Sequence, residues 1–446
     1  MAQQSISRKD FIKSSSILVA GGSSMLLGSR AAAAAPEETT TTPAMAGKTF
    51  TLKNVRLETG FSYEEGEVSG TLTGLFTIDI QEGKIKAILP NNPQAKAIDA
   101  KGYLMLPAFK EMHIHLDKTF YGLPWKAHLK KNKSVKDMIA YEQQVIPELL
   151  KTSTARSELL IELLQSRGSN FARSHVNIEP TSKLDSLKNL QRALENKKDS
   201  FAAELVAFPQ HGIYYTQSEQ LMKEAAKMDI DFIGGLDPAS IDGSIEKSMD
   251  FVVQLALDHH KGIDIHLHEG GESGLKTVEY LIDKVNENPV LKGKTFISHC
   301  FVLAKLEAPK LQEVAEKLAH AQMGVISTIP FGNTIMPIPT LYKYGVDVRA
   351  GNDCIIDHWN TFGSGSVLHK ANLMAQLYGY RTEFDLSRAL KLATHNVLPL
   401  DDKGKRQWPN VGDNADLVLL EASCSAEAVS RISPVKSLIH RGNIVF

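Results

Sequence analysis

Cysteine is scarce in this chain. Only three occur in 446 residues, Cys300, Cys354 and Cys424, an odd number without zinc-finger or Pro-Cys-x-x-Cys spacing. That excludes a disulfide framework and the cysteine-ligated zinc site of base deaminases. A surplus of either charge is missing as well, since 50 basic residues face 51 acidic ones. Nothing therefore suggests a nucleic-acid footprint or a polybasic membrane patch. Repeats, heptads and long charge blocks are absent, so a scaffold or interaction role has no positive support. No glycine-rich phosphate turn follows an early strand, which argues against a doubly wound dinucleotide fold. Two cysteines, Cys300 and Cys354, directly follow polar residues at strand ends. Alternation along a strand turns them away from those residues, as packing groups.

Long apolar runs are missing too. The longest candidate, residues 17–27, is broken by Gly and Ser and is too short to span a bilayer. It follows Ser7-Arg-Lys-Asp-Phe-Ile-Lys13 and precedes a small-residue stretch ending at Ala46. Residues 1–47 therefore resemble a twin-arginine export signal and linker, with Lys9 in place of the second arginine. The expectation is an exported, periplasmic protein that folds before export, cleaved near Ala46. Without use of the signal the location would be cytoplasmic. No stable membrane insertion is expected, and oligomeric state is not readable, so a homo-oligomer stays open.

What is present is a change of period along the chain. Residues 50–57, 74–80 and 83–89 alternate apolar and polar side chains, and so do residues 416–420 and 435–446. Two β-rich ends around a different middle predict one small β-sandwich-like domain from residues 48–106 and 400–446. The middle, 107–399, alternates short apolar strands with amphipathic helices. Candidate strands fall at 104–115, 171–178, 204–210, 232–236, 263–269, 295–300, 325–330 and 346–353. Helical patterns lie between them, at 157–165, 218–227, 245–259, 275–286 and 305–319. Eight strands separated by helices predict an α/β fold, a (β/α)8 TIM-like barrel.

The polar residues then fall in one place. His113, His115, Gln210, His266, Glu269, His299 and Asp353 all end predicted strands. In a barrel those ends converge on one mouth, where such folds place their chemistry. His113 and His115, two apart on a strand, face the same way and can chelate one ion. His266 adds a third nitrogen and Asp353 an anionic oxygen, leaving a position for water. His268, two along from His266, is a rival ligand. Glu269 and His299 are spare groups for moving protons, which a silent binding barrel would not need.

These segments together resemble the cytosine deaminase branch of the amidohydrolase superfamily. The likeness rests on Met112-His-Ile-His115, Arg173-Ser-His175, Leu205-Val-Ala-Phe-Pro-Gln-His-Gly-Ile213, His266-Leu-His-Glu269, Ser298-His-Cys300 and Gly351-Asn-Asp-Cys-Ile-Ile-Asp-His-Trp359. It spans roughly residues 48–446. The resemblance implies that His113, His115, His266 and Asp353 hold one divalent ion, Zn²⁺ or Fe²⁺. Glu269 would shuttle protons, Asp353 would take the proton of the attacking water, and His299 would orient that water. Gln210 would hold the heterocycle, with Cys354 and Trp359 also lining its pocket. Three departures from the family pattern bear on specificity. Cys354 replaces a second aspartate, His268 replaces an acid, and His211 replaces a glutamate. The implied reaction is hydrolytic deamination of an amino-substituted nitrogen heterocycle, releasing ammonia. Cleavage of an N-substituted amine or cyclic amide at the same site is the alternative.

Overall fold

The alternating run at Phe50 becomes β1 (Phe50–Glu64), followed by β2 (Glu67–Gln81), β3 (Lys84–Pro90), β4 (Ile98–Asp99) and β5 (Leu104–Pro107). Two-residue turns, Glu65-Gly66 and Glu82-Gly83, join the first three strands, with positive φ at both residues of each. Such turns match the right-handed twist of a hairpin. The middle of the chain supplies β6 (Phe109–Ile114), β7 (Ser169–Asn177), β8 (Ala202–Phe208), β9 (Phe232–Leu236), β10 (Gly262–Leu267), β11 (Thr295–His299), β12 (Gly324–Ser327) and β13 (Val348–Ala350). The end of the chain adds β14 (Leu417–Leu420), β15 (Val435–His440) and β16 (Asn443–Ile444). This computed structural model describes residues 48–127 and 134–446. The export-signal expectation lies outside the described residues.

The two chain ends share one mixed sheet, ordered β16-β15-β14-β5-β1-β2-β3, with β4 beside β1. Its core gathers Leu52, Val55, Leu57, Ile78, Ile80, Met105, Leu417 and Ile439. A bulge between Leu52 and Val55, at Asn54 with φ 55°, keeps both apolar side chains on the buried face. The strands β6 to β13 pair in chain order, every neighbour parallel, and helices follow each strand. This is the (β/α)8 barrel. Among the described residues no helix is long and apolar enough to cross a membrane.

One expected strand is two. Residues 104–115 divide at Ala108, whose N–H donates to Asp416 O at 3.0 Å, while the N–H of Phe109 donates to Gly168 O at 2.8 Å. Consecutive amides thus serve different sheets, and apolar character runs unbroken through the join. A helix absent from the sequence expectations, Val135–Leu150, lies between β6 and β7. Ser134 and Asp137 form a reciprocal capping box at its start.

The barrel closes at its mouth. Asp353 N donates to His113 O at 2.8 Å, and His115 N donates to Asp353 O at 3.3 Å. The buried Glu111 reinforces the seam, accepting Asn352 N at 2.9 Å, Asn352 Nδ2 at 2.6 Å and His113 N at 3.1 Å. Gly351 makes this approach possible, because a Cβ there would lie 2.5 Å from Glu111 Oε1 and from His113 N and O. Backbone cannot yield cheaply to such overlap. Gly351→Ala is therefore expected to destabilise the fold by about 2 kcal/mol or more. Thermal denaturation checks this, and an unchanged midpoint would show that the seam is looser than described.

Candidate metal centre and pocket

Strand β6 delivers His113 and, just past its end, His115; β10 delivers His266 and the turn after β13 delivers Asp353. One ligand atom from each lies within 4.8 Å of every other. Asp353 Oδ1 is 3.4 Å from His113 Nε2 and 3.3 Å from His115 Nε2, while His115 Nε2 and His266 Nε2 are 3.4 Å apart. All three histidines are buried, and His113 Nε2 has no hydrogen-bond partner. Burial, and then Lys118, pushes His115 down to about 4, and burial takes His266 well below its usual range. Neutral imidazoles converging on a carboxylate suit a divalent cation. His268, the rival ligand, stands outside the group. Its Nδ1 pairs with Asp237 Oδ2 at 2.8 Å and its ring is 5.9 Å from that of His266.

The cluster opens on a cavity of about 290 Å³ lined by His115, Lys118, Val135, Gln210, Leu236, His266, His268, His299, Asp353, Cys354 and Trp359. Gln210, Cys354 and Trp359 all border this cavity. Cys354 faces the cavity rather than the core because Asp353 has φ 65°, which breaks strand alternation. Cys300 does belong to the hydrophobic core. His299 lies 4.8 Å from His113 and 4.3 Å from His268 between ring centroids, and neither of its nitrogens has a partner. Burial keeps it neutral.

Glu269 sits differently from its neighbours. Its Oε1 accepts the N–H of Ser240 at 2.6 Å, its Oε2 is buried without a partner, and it is not among the cavity-lining residues. Burial raises its pKa. His268, by contrast, lines the cavity, and the carboxylate of Asp237 outweighs burial to raise its pKa.

Several site groups escaped the sequence reading. Lys118 reaches the cavity and donates to Gln210 Oε1. Its ammonium is 3.6 Å from Glu142 Oε1, and Glu142 comes from the helix Val135–Leu150. Glu142, wholly buried, also receives Asn177 Nδ2, Trp359 Nε1 and His211 Nε2, each at 3.3 Å. His211 faces Glu179 on its other side at 3.2 Å. His175 joins the histidine cluster, 4.2 Å from His113 and 4.5 Å from His266 between centroids, with both nitrogens unpartnered. Of these, Lys118 stands beside a recognised motif, while His175 and His211 stand inside the quoted motifs without a place in the site being assigned to them. Glu142 stands in none.

Barrel, mouth and donor set together make a candidate metal site of the kind a hydrolase uses. A model of the amidohydrolase family matches residues 158–446, and the chain belongs to that family. It is 48% identical over 402 residues to the uncharacterized protein YahJ of Escherichia coli (strain K12), covering 89% of this chain and 87% of that one. It is 28% identical to the N-isopropylammelide isopropyl amidohydrolase of Pseudomonas sp. (strain ADP), over 78% of this chain and 87% of the other. Among solved structures, N-isopropylammelide isopropylaminohydrolase from Burkholderia multivorans superposes with TM-score 0.77 at 27% identity, covering 89% and 98% of the two chains. The 5-methylcytosine deaminase of Klebsiella pneumoniae, liganded with phosphonocytosine, gives 0.74 at 25%, with the same coverage. The chain is a carbon–nitrogen hydrolase of this family.

The clamp around His211 carries a pH signature. Burial alone would lower its pKa, but the carboxylates of Glu142 and Glu179 outweigh it and raise the value from 6.5 to about 9. A raised folded pKa stabilises fully below the unfolded value and is lost as pH climbs through the folded one. The stability gap between wild type and His211→Asn should therefore be wide at pH 6 and shrink by pH 10. Thermal midpoints of both proteins across that range test it, and a gap independent of pH would mean that His211 is neutral in the fold.

Proposed function

We propose that the protein hydrolyses an exocyclic C–N bond on an oxo-bearing nitrogen heterocycle, with release of ammonia. The observation that carries this reading is the four-ligand cluster opening onto a small cavity with one polar and one apolar side. Zn²⁺ or Fe²⁺ is the ion proposed for it, given three imidazoles and one carboxylate. When bound, such an ion supplies Lewis acidity and an ionised water at neutral pH.

The ring is proposed to lie against Trp359 and Leu236, with its polar edge toward Lys118 and Gln210. An ammonium can only donate, so Gln210 turns its amide oxygen to Lys118 and leaves its NH₂ for the cavity. Donors on that edge call for carbonyl oxygens on the ligand. Cys354 supports the same reading, since burial and the carboxylates Asp353 and Asp357 keep its thiol protonated. Asp353 takes the proton of the attacking water, and His299 steadies the oxygen that develops charge. Asp237 holds the Nδ1–H of His268, so its Nε2 is free to exchange a proton with the leaving nitrogen, together with Glu269. A second reading, release of an alkylamine, is favoured by the apolar wall of Val135, Leu236 and Trp359. Export to the periplasm is part of the proposal, carried by residues 1–47 alone, and fractionation of cells expressing the full chain tests it.

Metal-loaded protein assayed on aminopyrimidines, aminopurines, pterins, triazines and creatinine-like rings, with ammonia and alkylamine both measured, tests the activity. Absence of both products from every ring would overturn it, and alkylamine without ammonia would favour the second reading. With an active substrate in hand, Glu269→Gln and His268→Asn should each lower kcat by about 10²–10⁴ at unchanged metal content. Wild-type turnover in either variant removes that residue from proton transfer.

A further inference from the structure

Beneath the metal ligands a chain of polar side chains crosses the barrel interior. His113 Nδ1 is 2.8 Å from Ser298 Oγ, and that hydroxyl donates to Asp264 Oδ1 at 2.7 Å. Arg173 Nη1 donates to Asp264 Oδ2 at 3.0 Å. The other edge of the guanidinium meets Glu204 Oε2, from Nε at 2.9 Å and Nη2 at 2.8 Å. Its Cζ lies over the rings of Phe232 and Phe296, 3.9 Å and 4.3 Å from their centroids. Arg173, Asp264, Ser298 and His113 are all buried from solvent.

Proton counting orients the chain. Asp264, paired with Arg173, accepts only, so the single hydroxyl proton of Ser298 goes to it. Ser298 Oγ must then accept from His113, which places a proton on Nδ1 and leaves Nε2, the atom facing Asp353 and the metal position, as the nitrogen that would hold the metal. His115 and His266 lack this arrangement, as their Nδ1 atoms have no partner among the described residues. Among the described residues, His113 is the one imidazole ligand with a hydrogen-bond partner on its Nδ1.

A purely structural role explains the chain poorly. Buried ion pairs add little stability compared with apolar side chains of similar volume, and the surrounding layer of Met112, Val206, Phe232, Phe296 and Ile326 is already apolar. We propose that Ser298, Asp264 and Arg173 are positioning residues that hold His113 in its Nδ1–H tautomer and so set the affinity of the metal centre. This rests on His113 being a ligand, as read above.

The test is metal affinity, by chelator competition with Zn²⁺ and Co²⁺. Ser298→Ala should bind either ion about 10–100-fold more weakly, and Ser298→Thr, which keeps the hydroxyl, should stay near wild type. The metal-free thermal midpoint of Ser298→Ala should change little. Wild-type affinity in Ser298→Ala, or equal weakening in both variants, would overturn the proposal. ¹⁵N-histidine NMR of the wild-type protein reads the tautomer without any variant at Ser298. A His113 ring protonated on Nε2 and not on Nδ1 in the metal-free protein would overturn the proposal as well. Unchanged metal binding in His113→Ala would instead sink the ligand reading itself, which separates the two failures.

Discussion

The whole site depends on one seam. Asp353 serves at once as a metal-facing carboxylate and as the backbone bridge that joins the last barrel strand to the first. Its N–H and C=O bond to the residues flanking Ile114, so forming the barrel and placing the carboxylate beside His113 and His115 are a single event. The positive φ at Asp353 is the local cost, and His299 and Cys300 carry similar backbone strain at the end of β11. Such conformations persist where surrounding bonds over-determine them. Here Glu111 and the Gly351 contact do so.

Around this seam two polar regions divide the work. In the four-ligand cluster burial keeps His115 and His266 neutral, as ligands must be. On the other side of the cavity, Lys118, Glu142, His211 and Glu179 alternate in charge and compensate one another. The second group fixes the helix Val135–Leu150 against the barrel mouth, and Val135 and Trp359 thereby become walls of the pocket. A buried carboxylate with four donors is hard to move, so the pocket is preorganised rather than assembled on binding.

The barrel and most of its mouth were legible in the chain because both rest on short-range rules. Strand alternation makes His113 and His115 neighbours, and strand-end placement gathers His266, His299 and Asp353. Where those rules stop, so did the reading. Ala108 looks like the middle of a strand because its apolar neighbours run on, although its amide serves another sheet. Cys354 should face the core by alternation and instead faces the cavity. Glu142 lies on a helix with no motif to mark it, and its importance comes wholly from partners distant in sequence. Asp264 reads as an ordinary strand residue, and Arg173, though inside a quoted motif, shows no partner until the barrel brings the two together.

By itself the sequence determined the architecture and the ligand types. Hydrophobic period selects strand or helix, and imidazole and carboxylate chemistry selects a divalent ion, both properties of residues and their near neighbours. Only the tertiary structure decided that His299 and the rival ligand His268 line the cavity while Glu269 does not, and which ligand is tethered from behind. Those outcomes depend on where side chains from separate strands meet, and hydrogen-bond partners tens or hundreds of residues apart leave no periodic trace in a chain.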